Sequence, residues 1–485
     1  MKYLLFLLML YGTTAALTKD DVTALLRRHD FTQSHLGFVV QELSADTSYI
    51  AVNADSWFTP ASLQKIFTGA AAFDILGKEH RFPTHVYIDS LDTEKGMTLG
   101  TSRFVGTGDP HLTAENLWLF ATQLANRGIR EITDTLILDH SLFGSEIYGP
   151  GFENKNSSRA YMAPASSLSA NFNALEIHIA PTTAGNDAHV ALLPPRDDVR
   201  IRGRIVTQTE GSPRLEVTTY EDAGETILFL NGVISETSPH RVFYRKIWDP
   251  QTHFHNALSH MLNTAGITLS AVVKTTTTPH PQDTTRTPFY THHSPPLSFH
   301  VGNTLQFSNN FIAENLYRAA VEPKTGPVSW NEASQRMTDW YIHHIDSTDT
   351  PPHFVNGSGM GRENRTTPLQ LLRTLQYVYE QPEWKYEFIS GLPVAGINGT
   401  LATRLDSPPL RGTVRAKTGT LAQSGVNNLA GYVYIDNRTY AFTLILNNRH
   451  RGAYAHWNLQ EELLELLVKN LTEKNAPDYS DEESR

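Results

Sequence analysis

Three short motifs along this chain carry residue types that can transfer an acyl group. They are S-L-Q-K at 62–65, S-N-N at 308–310 and K-T-G at 417–419. In this order they match a set in which a serine nucleophile is combined with a lysine, a polar loop and a lysine-bearing strand. A serine next to a lysine that acts as a base can attack a carbonyl carbon and become acylated. The motif order therefore predicts acyl transfer through a covalent intermediate on Ser62.

The residues after Ser62 have the spacing of a buried helix, which Gly77 would end. Apolar side chains recur at helical intervals, at Leu63, Ile66, Phe67, Ala70 and Phe73. The pattern places Ser62 in the first helical turn, where unpaired backbone N–H groups favour developing negative charge. Lys65 would share the helix face of Ser62. A desolvated lysine loses its proton more easily, so Lys65 could activate the serine.

The third motif needs its context, because K-T-G also occurs at 324–326 without a strand pattern around it. Around Lys417 the chain reads as a strand, and two more strand-like runs follow at 429–435 and 439–446, joined at 436–438. This is typical of a β-meander. A lysine on such a strand could hold a substrate carboxylate, and Gly419 would allow a close approach of the substrate backbone. The alternative is a solvated lysine on an edge strand.

The second motif precedes another helical stretch, at 311–316. Asn310 could then orient a substrate amide, and Ser308 could relay a proton to the leaving amine. The alternative is an ordinary loop or helix N-cap.

Further segments carry a resemblance to a known family. The chain resembles the penicillin-binding protein 4 type of D-alanyl-D-alanine carboxypeptidase/endopeptidase, which are class C low-molecular-mass penicillin-binding proteins. The matching segments beyond the three motifs are V-G-T-G-D-P at 105–110, Y-M-A-P at 161–164, S-P-P-L at 294–297, G-S-G at 357–359, L-P at 392–393 and G-T-L at 399–401.

The resemblance implies a role for each motif residue. Ser62 would attack the carbonyl between two D-alanines, with Lys65 as the base. Ser308 and Asn310 would complete the proton network, and Lys417 would contribute to carboxylate binding. The remaining implied contacts are the backbone N–H groups of Ser62 and Thr420 in an oxyanion hole, and Thr418, Gly419 and Thr420 in substrate binding.

The implied partners are peptidoglycan stem peptides as substrates and β-lactam antibiotics as covalent inhibitors. No metal and no organic cofactor is expected. Nucleic acid is not expected, because the formal net charge is −10 and phosphate binding needs clustered positive charge. Whether the protein forms a homodimer stays open.

The sequence departs from the family pattern at three positions. Asn356 and Asn398 stand where the family leads us to expect Asp, and we interpret both as turn positions in which Asn and Asp are interchangeable. Relatives also hold an acidic residue that binds the amine of a diamino acid. A gapless count places Asn156 there, with Glu153 as a weak substitute, so the stem-peptide specificity stays open.

The motif spacing predicts a discontinuous catalytic domain. About 245 residues separate the first motif from the second, far more than a loop contains. We expect an α+β fold of the serine β-lactamase/DD-peptidase type at 17–80 and 292–472. Its first hairpin would be at 38–43 and 49–52, and its closing amphipathic helix at 459–471. Between them, 81–291 would form a β-rich insertion, with two subdomains.

The N-terminal segment predicts export. A basic start, an apolar run and small residues are typical of a signal peptide at 1–16. Residues 473–485 read as an acidic tail. With zero cysteines, a disulfide framework is excluded. The prediction is a periplasmic protein that is soluble or loosely membrane-associated.

Two alternatives stay open on sequence alone. A β-lactamase or esterase could use the same Ser62 and Lys65. A non-catalytic peptidoglycan-binding protein could keep the fold and the motifs without the geometry needed for catalysis.

Overall fold

The computed structural model describes residues 17–45, 47–152, 157–196, 199–222, 225–279, 286–322, 326–421 and 425–475. Several sequence predictions lie outside these residues. They are the signal peptide at 1–16, the specificity positions Glu153 and Asn156, most of the K-T-G repeat at 324–326, and the acidic tail beyond 475.

The described chain alternates helices with mostly short strands. The α-helices α1 to α10 are Lys19–Arg28, Gln64–Leu76, Ala114–Asn126, Pro250–Thr264, Leu297–Gln306, Asn310–Ala319, Trp330–His344, Pro368–Glu380, Lys385–Gly391 and Ala453–Asn475. The strands β1 to β18 are Leu36–Glu42, Ile50–Val52, Pro83–Asp92, Met97–Gly106, Glu131–Ile132, Thr135–Asp139, Ala174–Ala180, His189–Leu193, Arg200–Gln208, Arg214–Asp222, Glu225–Ser235, Arg241–Lys246, Thr268–Leu269, Val272–Thr276, Tyr290–His293, Val414–Leu421, Val426–Ile435 and Arg438–Asn447. Short 3₁₀ turns occur at Gln33–His35, Ala61–Leu63, Ala160–Met162, Asn171–Asn173 and Gly399–Leu401.

The described residues divide into two compact units, of which the first comprises those within 1–60, 366–376 and 392–485. Its five-stranded sheet has the order β16-β17-β18-β1-β2, so β16 is an edge strand. Helices α1 and α10 pack on this sheet through a continuous apolar core that includes Phe38, Val40, Leu444, Leu463 and Leu467, all with 0% exposure. Each such side chain stabilises the fold by about 1.5 to 3 kcal/mol.

The predicted hairpin and meander are both present in this first unit. Strand β1 pairs with β2 in antiparallel register, and β16, β17 and β18 form a meander. The turn between β17 and β18 contains Asp436 with φ of +51°. Helix α10 extends through Asn475, beyond the predicted domain border at 472.

The second unit comprises residues 61–365 and 377–391. A seven-stranded sheet contains β3 to β6 and β13 to β15, and two three-stranded sheets have the orders β10-β11-β9 and β12-β7-β8. Helices α3 and α4 contribute to the apolar core of the larger sheet. Most of the strands, β3 to β15, lie within or next to the region 81–291 that the sequence predicted to be β-rich. The domain borders proposed from sequence stay a prediction.

None of the described helices is both long enough and apolar enough to cross a membrane.

Candidate active site

Ser62 lies in a 3₁₀ turn, Ala61–Leu63, that leads directly into α2. The sequence predicted that Ser62 lies in the first turn of the α-helix. The structure instead has a tighter 3₁₀ turn at this position. Ala61 has a φ of +49°, which is strained for a residue with a side chain. Helix α2 ends at Gly77, with φ of +83°, as predicted. All of its residues from Gln64 to Phe73 are buried, including the polar Gln64 and Lys65.

Lys65 contacts Ser62, and both residues belong to the second unit. Its Nζ donates to the Ser62 Oγ at 2.9 Å, to the Asn310 Oδ1 at 2.7 Å and to the Ser358 backbone oxygen at 2.8 Å. Three acceptors match the three N–H donors of an ammonium group. The three residues that the sequence predicted to cooperate, Ser62, Lys65 and Asn310, are therefore brought together.

Burial controls the electrostatics of Lys65. The side chain has 0% exposure. Burial lowers the pKa of Lys65 to about 7, and the nearby Glu314 carboxylate partly opposes this shift. A lysine with such a pKa carries a substantial neutral fraction near neutral pH, so it can accept a proton.

The second motif supplies both a cap and a site residue. Asn309 is the N-cap of α6, and its Oδ1 accepts from the Ile312 N–H at 3.0 Å. The N-cap alternative therefore applies to Asn309, whereas Asn310 contacts Lys65. The Asn310 Nδ2 also donates to the Tyr161 backbone oxygen at 2.9 Å, which fixes the orientation of the amide.

Ser308 borders a cavity of about 630 Å³ in the second unit, together with Asn310 and Tyr161. It has a φ of +57°, a second strained position beside the motif residues. The cavity has the volume of an ordinary ligand site.

The segment 356–360 contributes contacts that the sequence analysis missed. Its Ser358 carbonyl faces Lys65, and its Gly357 and Ser358 N–H groups both donate to the Glu314 carboxylate at 2.9 Å. Glu314 lies one helical turn after Asn310 on α6, and this i, i+4 spacing was a usable signal. The Ser358 carbonyl is a backbone group, so no side-chain pattern could have revealed it.

Asn356 is more than an interchangeable turn residue. Its Oδ1 accepts from the Gly359 N–H at 2.8 Å, which Asp could also do. Its Nδ2, however, donates to the Pro150 and Met360 carbonyls at 2.7 and 2.8 Å, which an ionised Asp could not do. The Asn398 side chain, in contrast, accepts a hydrogen bond from the Val394 N–H at 2.8 Å. Within the described residues it donates no side-chain hydrogen bond, so Asp could replace Asn at this position.

The K-T-G motif lies on the edge strand β16 of the first unit. Lys417 has 0% exposure, and its Nζ donates to the Thr418 backbone oxygen at 2.7 Å. The solvated-lysine alternative is therefore wrong, because the side chain is fully buried although β16 is an edge strand. The Thr418 hydroxyl donates to that of Thr400 at 2.8 Å, and Thr420 pairs with Asn427 across the sheet.

Within the described ranges, no group of three or more His, Cys, Asp or Glu residues is arranged to hold a metal ion.

Comparison with known proteins places the chain among D-alanyl-D-alanine carboxypeptidases. The model of the D-Ala-D-Ala carboxypeptidase 3 (S13) family matches residues 18–469. The chain is 28% identical over 446 residues to a D-alanyl-D-alanine carboxypeptidase of Actinomadura sp. (strain R39), a match that covers 90% of this chain and 81% of the relative. It is 24% identical over 409 residues to the D-alanyl-D-alanine carboxypeptidase DacB of Haemophilus influenzae, covering 82% of each.

The fold is also similar to that of a solved penicillin-binding protein. The crystal structure of penicillin binding protein 4 (dacB) from Haemophilus influenzae superposes with a TM-score of 0.76 at 23% identity, covering 92% of this chain and 99% of that one. The predicted fold class and the predicted resemblance are both confirmed. The chain belongs to the D-Ala-D-Ala carboxypeptidase 3 (S13) family and is a serine-type carboxypeptidase.

Proposed function

We propose that the protein removes the terminal D-alanine from peptidoglycan stem peptides through an acyl-enzyme on Ser62, and that β-lactams acylate the same serine. The observation that carries this proposal is the contact between the Lys65 amine and the Ser62 hydroxyl, 2.9 Å apart, in a setting that lowers the pKa of Lys65 to about 7. A binding protein would have no need for a buried amine next to a hydroxyl.

The first chemical step follows from that contact. Neutral Lys65 accepts the Ser62 proton while the Oγ bonds to the carbonyl carbon between the two D-alanines. The tetrahedral intermediate then breaks its C–N bond, and a proton passes to the leaving amine of D-alanine. Ser308, next to Asn310, is our proposed relay for this proton. Water hydrolyses the resulting ester and regenerates Ser62.

The edge strand β16 has a proposed role in binding. Lys417 and the hydroxyls of Thr418 and Thr420 would hold the substrate carboxylate, and Gly419 would admit the substrate backbone. The N–H groups of Ser62 and Thr420 would stabilise the oxyanion, each contributing about 3 to 4 kcal/mol as in other acyl-transfer sites. Family membership and the burial of Lys417 support this assignment.

Endopeptidase cleavage of a crosslink is a finer proposal. The acyl-enzyme is the same whichever amine leaves, so the chemistry on Ser62 also allows a diamino-acid side chain as the leaving group. Export on the segment 1–16 would bring the enzyme to peptidoglycan in the periplasm. A discontinuous catalytic domain at 17–80 and 292–472 belongs to the same proposal, and its joining of distant chain segments is supported by the one sheet that strands within 36–52 and 414–447 share.

Release of D-alanine tests the proposed activity. The purified chain is incubated with an N-acylated tripeptide that ends in D-Ala-D-Ala, and free D-alanine is measured over time. We expect release by the wild type and by the control Ser390→Ala, whose serine is exposed and bonds only locally, and no release by Ser62→Ala. Rapid penicillin hydrolysis without D-alanine release would instead indicate a β-lactamase. Absence of both reactions would indicate a binding protein.

A further inference from the structure

Glu314 is a buried carboxylate beside the site, to which the proposed reaction gives no role. It lies on α6 with 1% exposure. Its Oε2 accepts from the Gly357 N–H and its Oε1 from the Ser358 N–H, both at 2.9 Å. A buried charge is costly unless it is paired or well hydrogen-bonded. The two hydrogen bonds offset part of that cost, and they tie the carboxylate to the 357–358 backbone.

The peptide segment that Glu314 binds also contacts the proposed base. The Ser358 N–H faces Glu314, and the Ser358 carbonyl accepts from the Lys65 Nζ at 2.8 Å. Lys65 and Glu314 thus both contact Ser358, Lys65 through its carbonyl oxygen and Glu314 through its N–H. Both side chains are almost fully buried, at 0% and 1% exposure, so little solvent screens their charges from each other.

We infer that Glu314 is a positioning residue for the acylation step: it fixes the Ser358 carbonyl against Lys65, and its negative charge stabilises the ammonium that Lys65 becomes when it takes the Ser62 proton. This inference rests on the proposed function. The attack on a carbonyl moves one proton from the Ser62 Oγ to the Lys65 Nζ. The product of that transfer is a buried cation, which a buried anion stabilises more than it stabilises the neutral amine.

Among the ionisable groups near Ser358, we expect the charge states of Glu314 and Lys65 to govern how the acylation rate depends on pH. Burial raises the pKa of Glu314, and hydrogen bonds from Ser358 and Gly357 together with the charge of Lys65 oppose that shift. Arg318, one turn further along α6, has a pKa lowered by burial to about 10 and stays charged below pH 9. Burial raises the pKa of Tyr317 above the working range.

The test measures the rate constant for acylation by a fluorescent penicillin between pH 5 and 9. In Glu314→Gln, the acid limb of the profile should move to lower pH by about one unit or more, because removing the anion lowers the pKa of Lys65 further. The plateau rate should fall by about tenfold or more. Glu314→Asp keeps the charge and should restore the position of the acid limb while the rate stays below that of the wild type.

A matched control separates charge from loop geometry. Asn356 holds the same segment by accepting from the Gly359 N–H, and it is uncharged. Asn356→Ala should lower the rate without moving the acid limb. An acid limb in Glu314→Gln at the wild-type position, or an equal movement in Asn356→Ala, would overturn the inference. Wild-type acylation in the same experiment shows separately that the acyl-enzyme chemistry of the proposed function stands, and release of D-alanine by the wild type tests the rest of that function.

Folding of each variant is checked by circular dichroism. Should Glu314→Gln fail to fold, wild type and Glu314→Asp are both labelled with ¹³C-glutamate. The difference between their infrared spectra then reports the ionisation of the Glu314 carboxyl group, because the aspartate at this position is not labelled. An ionised Glu314 across the acid limb is the expected result. A protonated Glu314 would overturn the inference, since a neutral acid cannot stabilise the ammonium by charge.

Discussion

Gly359→Ala should disable the enzyme, because this glycine touches the backbone just before Ser62. A Cβ built on Gly359 would lie 1.8 Å from the Ala61 carbonyl oxygen and 2.9 Å from the Gln64 Cβ. Gly359 also has a φ of +80°, which glycine adopts freely and alanine does not. The substitution therefore combines a backbone penalty with a steric overlap.

The magnitude follows from these two terms. The positive φ costs about 1 to 2 kcal/mol for a residue with a Cβ. A carbon and an oxygen in ordinary contact are more than 3 Å apart, so the Ala61 carbonyl must move by more than 1 Å, at a cost of about 1 to 3 kcal/mol. We expect the free energy of unfolding to fall by about 2 to 5 kcal/mol. A displacement of this size next to the nucleophile should lower the acylation rate by about 100-fold or more.

The assay combines urea unfolding with the rate of acylation by a fluorescent penicillin. Gly302→Ala is the matched control, because a Cβ at Gly302 meets nothing within 4 Å and its helix α5 favours alanine over glycine. The control should keep the wild-type rate and lose no stability. A Gly359→Ala variant with wild-type stability and rate would refute the reasoning, since the close approach to Ala61 would then not exist in solution.

Three further predictions follow from other contacts. The wild-type acylation rate should fall as pH drops through about 7, to about one tenth of its plateau at pH 6, because only neutral Lys65 accepts the proton; a flat stopped-flow profile from pH 5 to 8 would contradict this. Asn356→Asp should lower the free energy of unfolding by about 2 kcal/mol, since an ionised Asp leaves the Pro150 and Met360 carbonyls without their donor. The deficit should shrink at low pH, where a protonated Asp can donate again, and urea melts at pH 4 and 8 measure it; equal deficits at both pH values would count against the assigned bonds. Arg318→Met should cost about 3 kcal/mol or more, because the guanidinium donates to the Glu146, Phe143 and Val328 carbonyls. Arg318→Lys should recover part of that loss in the same urea melts. An Arg318→Met variant with the wild-type free energy of unfolding would contradict the assigned role.

Local sequence spacing predicted the parts of the site that depend on one element. Ser62 and Lys65 are three residues apart, and the buried helix follows from the apolar residues around them. Strand β16 and its meander were likewise readable from alternation and from the turn at Asp436. Asn310 lies 245 residues from Lys65, and only the motif order connected the two.

The contacts that the sequence analysis missed depend on backbone atoms or on tertiary packing. Ser358 contributes a carbonyl to Lys65, and every residue has a carbonyl, so its sequence gives no signal. Gly359 appeared as part of a family segment, but its close approach to Ala61 is a tertiary fact. The 3₁₀ turn at Ser62 differs from the predicted α-helix because Ala61 adopts a positive φ, which propensity disfavours.

Intact-mass measurement after incubation with penicillin tests the central claim most directly. Wild type and Ser62→Ala are compared, and peptide mapping locates any adduct. We predict that the wild type gains the mass of one penicillin on the peptide that contains Ser62, and that Ser62→Ala gains none while its circular dichroism spectrum is unchanged. An adduct that persists in Ser62→Ala would contradict the assignment of the nucleophile. A wild type with neither an adduct nor penicillin hydrolysis would contradict the acyl-enzyme itself.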